Sequence, residues 1–108
     1  MKEIRTRAYT LRYKNGAWLA QVLISNDGMF SAVSDWGNFA FAWRSFNGDF
    51  RDFLLSIRPD YFGNKMANGL SFVVHSRKVD QAALRFAGHI LPALQEELKR
   101  EMELNIQW

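Results

Sequence analysis

Apolar and polar positions alternate along the first 43 residues, and three turn signals interrupt the alternation. KNG at 14–16, NDG at 26–28 and DWGN at 35–38 recur at roughly ten-residue spacing, and Asn-Gly or Asp-Gly pairs are typical of hairpin turns because they tolerate a positive φ. The pattern predicts four antiparallel strands, which span residues 4–13, 17–25, 29–34 and 39–43. The second strand is apolar on both faces, which predicts a central place in the sheet.

The fourth strand, FAFAW, carries large aromatic side chains on one face and Ala40 and Ala42 on the other. Small side chains allow a helix to approach closely. We therefore expect a helix on the alanine face, with the aromatic rings filling space on the opposite face.

After residue 47 the apolar period becomes that of an amphipathic helix, with apolar side chains at i, i+3, i+4 and i+7, namely Phe50, Phe53, Leu54 and Ile57. Asn47 or Asp49 can cap this helix at its start, and Pro59 ends it. Asp60 is then predicted to cap a second, short helix over residues 61–67, in which Gly63 is an unfavourable residue.

A long C-terminal helix is predicted for residues 80–103, with Asp80 as its cap. Its apolar stripe consists of Leu84, Ala87, Leu91, Leu94, Leu98 and Met102. Pro92 removes one backbone donor and crowds the preceding turn, so we expect a kink or a break near it.

The order of elements predicts a single α+β domain over residues 1–108. Residues 1–43 form an antiparallel meander, residues 48–67 form a helical segment, and the helices pack on one face of the sheet. LSFVVH at 70–75 is either an extended link or a fifth strand, because its β-branched pair favours a strand.

The chain offers little that indicates catalysis. It has no cysteine, which excludes disulfides, thiolate zinc sites and a cysteine nucleophile. His75 and His89 lack the spacing of a Ser-His-Asp set or a metal site, and the glycines lie at turns rather than in a phosphate-binding loop. We therefore predict a non-enzymatic protein without cofactor or metal.

Six large aromatic residues occupy the sixteen positions from 35 to 50. Burying each is worth roughly 1.5–3 kcal/mol, so leaving all six in water would forgo on the order of 10 kcal/mol, against a total stability of about 5–15 kcal/mol. Most must be buried, and Trp36, in a turn, is the best candidate for exposure. The candidate partner-binding residues are Trp36, Phe39, Phe41 and Trp43.

Positive charge is concentrated at the N-terminus. The net charge is +3, with five basic and one acidic residue in 1–14, and nine basic and ten acidic residues in the rest. A candidate patch for nucleic acid or an acidic partner consists of Arg5, Arg7, Arg12 and Lys14. The alternative is a charged edge strand that prevents aggregation. Nucleic-acid binding, with aromatic rings stacking on bases, is the second functional hypothesis after protein binding.

The run SDWGNFAFAWRSFNGDFRDFLLSIRPDYFGNKM, together with RFAGHILPALQEELK, resembles small bacteriophage and prophage proteins, loosely over residues 25–99. The Trp-Gly-Asn turn, the Gly-Asp-Phe helix start and the Asp-Tyr-Phe segment carry the resemblance. It implies an accessory phage role in the bacterial cytoplasm, and it assigns no activity and no site.

The N-terminus also lacks the apolar core of a signal peptide, and no apolar run approaches the ~20 residues of a membrane span. The sequence therefore predicts a phage accessory protein that binds either a host protein or a second copy of itself.

Overall fold

The computed structural model of the protein describes residues 3–68 and 77–107. Four antiparallel strands form one sheet in the order β1-β2-β3-β4, and three helices follow: β1 (Thr6–Arg12), β2 (Trp18–Ser25), β3 (Met29–Ser34), β4 (Gly37–Ala42), α1 (Phe50–Ser56), α2 (Pro59–Asn68) and α3 (Arg77–Glu103). The predicted α+β meander is confirmed, with β2 inside the sheet. The strand considered for 70–75 lies outside the described residues, as does His75.

The turn between β2 and β3 requires glycine. Gly28 has a φ of +105°, and a Cβ atom there would collide with the backbone oxygen of Trp43. The amide of Trp43 donates a hydrogen bond to the carbonyl of Gly28 at 2.8 Å. This contact ties the β2–β3 hairpin to the residue that follows β4.

The helices pack on the aromatic face of the sheet, so the prediction of a helix on the alanine face is wrong. Phe30 of β3 meets Phe62 of α2 with 5.0 Å between ring centroids, and Phe39 of β4 meets Phe86 of α3 at 4.4 Å. Ala40 and Ala42 are exposed. Burying large rings removes far more apolar surface from water than burying two alanines, and this gain outweighs the closer approach that alanine permits.

Two short helices follow the sheet, and their caps differ from the prediction in one respect. Asp49 caps α1, since its side chain accepts a hydrogen bond from the amide of Asp52 at 2.7 Å. Pro59 both follows α1 and occupies the first position of α2, where a missing amide hydrogen does no harm. Asp60 therefore lies inside the first turn of α2 and is not its cap.

Gly63 lies within α2 because α2 and α3 pack closely at this point. A Cβ atom at Gly63 would lie 3.1 Å from the Leu84 side chain and 3.2 Å from the Cβ of Ala87. A tertiary contact with α3 thus accounts for the presence of glycine, which disfavours a helix, at this position of α2.

The helix α3 begins at Arg77, so Asp80 lies in its first turn and is not its cap. The helix is continuous through Pro92, so of the predicted kink or break, the break does not occur. Gly88, whose carbonyl loses its helical partner at Pro92, is exposed, so water can satisfy that carbonyl.

The buried stripe of α3 is offset from the predicted one. Leu84 and Met102 are 53% and 44% exposed. The buried side chains are Ala83, Phe86, Ala87, Ile90, Leu91, Leu94, Leu98 and Glu101. Within the described parts of the chain, none of the helices is both long and apolar enough to cross a membrane.

Candidate functional site

The predicted aromatic surface belongs mainly to the core. Phe39 and Trp43 are only 3% and 5% exposed, so neither is accessible to a partner, and both are withdrawn as candidates. Phe41 and Trp36 are partly buried against the core. The indole of Trp36 stacks on the His89 ring, with 4.7 Å between centroids and 12° between planes. This stack attaches the β3–β4 turn to α3 and gives His89 a packing role.

The four basic residues near the N-terminus do not form a single patch. Arg7 points toward the helices and pairs with Glu101, with 3.4 Å between nitrogen and carboxylate oxygen. Arg12 lies at the other end of β1, and Arg5 and Lys14 lie beyond opposite ends of that strand. Since a seven-residue strand is about 20 Å long, the four charges are spread along β1 and are not gathered at one point.

Glu101 is a buried carboxylate at the junction of β1, α1 and the end of α3, and only 8% of it is exposed. The Tyr9 hydroxyl donates to this carboxylate and lies 2.9 Å from each of its oxygens. The Arg51 guanidinium lies 3.7 Å from it, and Arg7 completes the cluster. Burial and, next, the hydrogen bond to Glu101 raise the pKa of Tyr9 well above its usual range.

The same two arginines hold the segment after α3. Arg51 donates to the carbonyl of Ile106 at 2.7 Å, and Arg7 donates to the carbonyl of Gln107 at 3.1 Å. The cluster therefore holds Ile106 and Gln107, in the segment after α3, against β1 and α1. No local motif could reveal it, because its members are far apart in the sequence. The only signal was Glu101 itself, a charged residue three positions after Leu98 on the apolar stripe.

The face of the sheet opposite the helices has an unusual composition. In the three rows where all four strands are paired, each strand contributes one outward side chain per row, twelve in all: Thr6, Ser25, Met29 and Ala42; Ala8, Leu23, Ser31 and Ala40; Thr10, Gln21, Val33 and Asn38. The exposed Arg12, paired with Trp18, follows the third row on β1 and borders this face. None of the twelve is charged. Six of the twelve carry neutral polar groups, as outward positions of a solvated sheet do, so the face is distinguished by its lack of charge and not by a lack of polarity. We call these twelve residues the open sheet face.

Large apolar side chains stand near the middle of the open sheet face. Leu23, Met29 and Val33 are 46%, 44% and 52% exposed. A hollow of about 270 Å³ lies beside Leu23 and Val33, with Ser31 in its lining and Trp18 at its end. The sequence pattern does place apolar residues on this second face of β2 and β3, and on β2 we interpreted them as evidence of a central strand. β2 is an inner strand of the sheet, but Leu23 on its second face is exposed, as are Met29 and Val33 of β3.

Metal binding has no evident site in residues 3–68 and 77–107, where no three His, Cys, Asp or Glu side chains come close enough together to hold an ion.

A four-stranded meander with helices on one face and an uncharged second face defines a small two-layer α+β protein. A family model described as a phage family, Phage_phiTE_072, matches residues 1–85, and the chain belongs to this family. The resemblance to phage and prophage proteins is thereby confirmed. No curated protein and no solved structure matches the chain.

Proposed function

We propose that this phage-family protein is non-enzymatic and acts by binding another protein through the open sheet face. The observation that carries the proposal is the absence of charge from the twelve positions of the open sheet face, with Arg12 only at its border, combined with the exposure of Leu23, Met29 and Val33. Depletion of charge distinguishes the centre of protein interfaces from the remaining surface. Contiguous exposed apolar side chains mark interaction sites in the same way.

The charge distribution favours protein over nucleic acid as the partner. Binding to a phosphate backbone depends on several lysines or arginines facing the ligand together. The open sheet face offers none, and Arg7 is already engaged with the buried carboxylate of Glu101.

The clearest group of ionisable side chains, around Glu101, stabilises the fold, which is why we propose a non-enzymatic protein. Because phages replicate inside bacteria, we place the binding event in the bacterial cytoplasm.

A photocrosslinking experiment tests the proposal. The photoreactive residue p-benzoylphenylalanine replaces Ala40, in the middle row of the open sheet face, and in a matched control it replaces Lys99, which is exposed on α3. After irradiation in bacterial cells, we expect protein adducts with the probe at Ala40 and none with the probe at Lys99. Equal adducts from both positions, or none from Ala40, would overturn the proposal.

A second measurement distinguishes protein binding from the alternative of nucleic-acid binding. Fluorescence anisotropy with labelled single-stranded and double-stranded DNA and with RNA is recorded at low and then rising salt. We expect no change in anisotropy. Binding that weakens steeply with salt would support the nucleic-acid hypothesis instead.

A further inference from the structure

We propose that the partner of the open sheet face is a second copy of this chain, so that two sheets pack face to face in a twofold-symmetric dimer. This inference rests on the proposed function and names its partner. Its first support is charge. Each copy has a net charge of +3, but the open sheet face carries no charge at all. Two such faces bury no unpaired charge when they meet, whereas a charged partner surface would have to lose its hydration without compensation.

The shape of the face is also complementary to itself. In a twofold dimer with the axis along the middle row, the outer row of one copy lies against the opposite outer row of its partner. Met29 then lies opposite the second copy of Val33, at the rim of the hollow there, and the reverse contact forms by symmetry. Each copy thus supplies both a flexible side chain and a hollow of about 270 Å³ to receive one.

The middle row lies on the axis, so each of its residues faces the same residue of the second copy. Leu23 packs on Leu23, while Ala8, Ser31 and Ala40 leave room for the flanking side chains. The strands of the two sheets run nearly aligned, which is a common geometry for two packed antiparallel sheets.

The area suffices for an interface of moderate size. With strands about 4.8 Å apart and about 3.4 Å per residue, the face covers roughly 20 by 20 Å. Because side chains stand above this plane, the accessible area is on the order of 600 Å² per copy, or about 1,200 Å² in total, at the lower end of specific interfaces. Trp18, 36% exposed, and Arg12 lie at the border, where polar and amphipathic residues belong.

Sedimentation equilibrium of the full chain tests the proposal. We expect a species of about twice the 12.6 kDa chain mass, at concentrations from about 1 to 200 µM, which match the affinity expected of a small interface. Leu23→Glu places two carboxylates against each other on the axis and should weaken dimerisation by at least about 100-fold. The matched control is Leu104→Glu, because Leu104 is 65% exposed but lies outside the open sheet face. This control should dimerise as the original chain does.

A charge-swap mixture tests the twofold axis itself. Leu23→Glu and Leu23→Lys variants should each be monomeric, and an equimolar mixture should dimerise, because the introduced carboxylate faces the introduced ammonium group only if position 23 meets itself. Circular dichroism verifies folding, and Ala40→Glu, also on the axis, takes the place of any variant that fails to fold. A dimer that survives Leu23→Glu, or a mixture that stays monomeric, would overturn the proposal.

The outcome also separates this inference from the proposed function. A monomer at every concentration, combined with adducts to a different protein from the Ala40 probe, overturns the dimer and leaves protein binding in place. A monomer without adducts overturns both.

Discussion

Gly28→Ala should be among the most destabilising single-methyl changes in this chain. The added Cβ would collide with the Trp43 backbone oxygen and would lie 2.9 Å from the Phe46 ring, in a turn whose φ is +105°. The backbone oxygen belongs to the segment that leaves β4, so it cannot rotate away as a side chain can. The hairpin and this segment must move apart by about 1 Å to reach ordinary contact distance.

The magnitude follows from two separate contributions. Holding alanine at this φ costs about 1–3 kcal/mol. Separating the two segments weakens the 2.8 Å hydrogen bond from the Trp43 amide to the Gly28 carbonyl, and a buried bond left unmade costs about 1–3 kcal/mol more. We therefore expect a loss of about 2–6 kcal/mol in the free energy of unfolding, which is a large part of a typical domain stability of about 5–15 kcal/mol.

Urea denaturation, followed by tryptophan fluorescence and far-ultraviolet circular dichroism, measures the loss. Gly16→Ala is the matched control, because Gly16 has a φ of +88° but no atom within 4 Å of the added Cβ. It carries the backbone strain without the collision. The Gly28 variant should lose about 1–3 kcal/mol more than the Gly16 variant, because the control shares the backbone strain but not the weakened hydrogen bond. Equal losses would refute the role of the Trp43 contact.

Five further substitutions test three other parts of the fold by the same denaturation assay. Tyr9→Phe should lower the free energy of unfolding by about 1–3 kcal/mol at neutral pH, through loss of the hydrogen bond to the buried carboxylate. Because the pKa of Tyr9 is raised in the folded chain, its contribution is complete below about pH 10 and is lost above it, so the difference from the original chain should shrink there. Gly88→Ala should stabilise by about 1 kcal/mol since its Cβ enters open space, whereas Gly63→Ala should gain less because its Cβ meets α3 at 3.1 Å. Asp49→Ala should cost about 1 kcal/mol by removing the cap of α1, and Asn47→Ala should change the stability by less than about 0.5 kcal/mol.

The sheet was predictable because its signals are local. Alternation and glycine turns specify each hairpin within about ten residues, and sequential hairpins give a meander directly. The face that receives the helices was not predictable in this way. Both faces of β3 and β4 offer apolar or small side chains, so the choice depends on how much surface the distant helices can bury there. Phe62 and Phe86 decide it by meeting Phe30 and Phe39 from the other side of the core.

The surface was only partly predictable, for a related reason. Leu23 and Val33 were visible as apolar residues on the second face of their strands, but a fully covered strand gives the same pattern as an uncovered one. The register brings them together with Ala8 and Ala40 into one uncharged area, and this needs all four strands at once. The Glu101 cluster was hidden for the same reason, since it joins residues of three separate elements.

The two faces of β1 explain why a basic first strand need not bind nucleic acid. Alternate residues of a strand point to opposite sides, so Arg7 and Tyr9 meet the carboxylate of Glu101 while Ala8 and Thr10 belong to the open sheet face. The charge at Arg7 thus compensates a buried charge within the fold. Substitutions on this one strand should therefore separate two properties. Changes at Tyr9 should act on stability, and a charge introduced at Ala8 should act on association, because only the latter side chain faces the proposed partner.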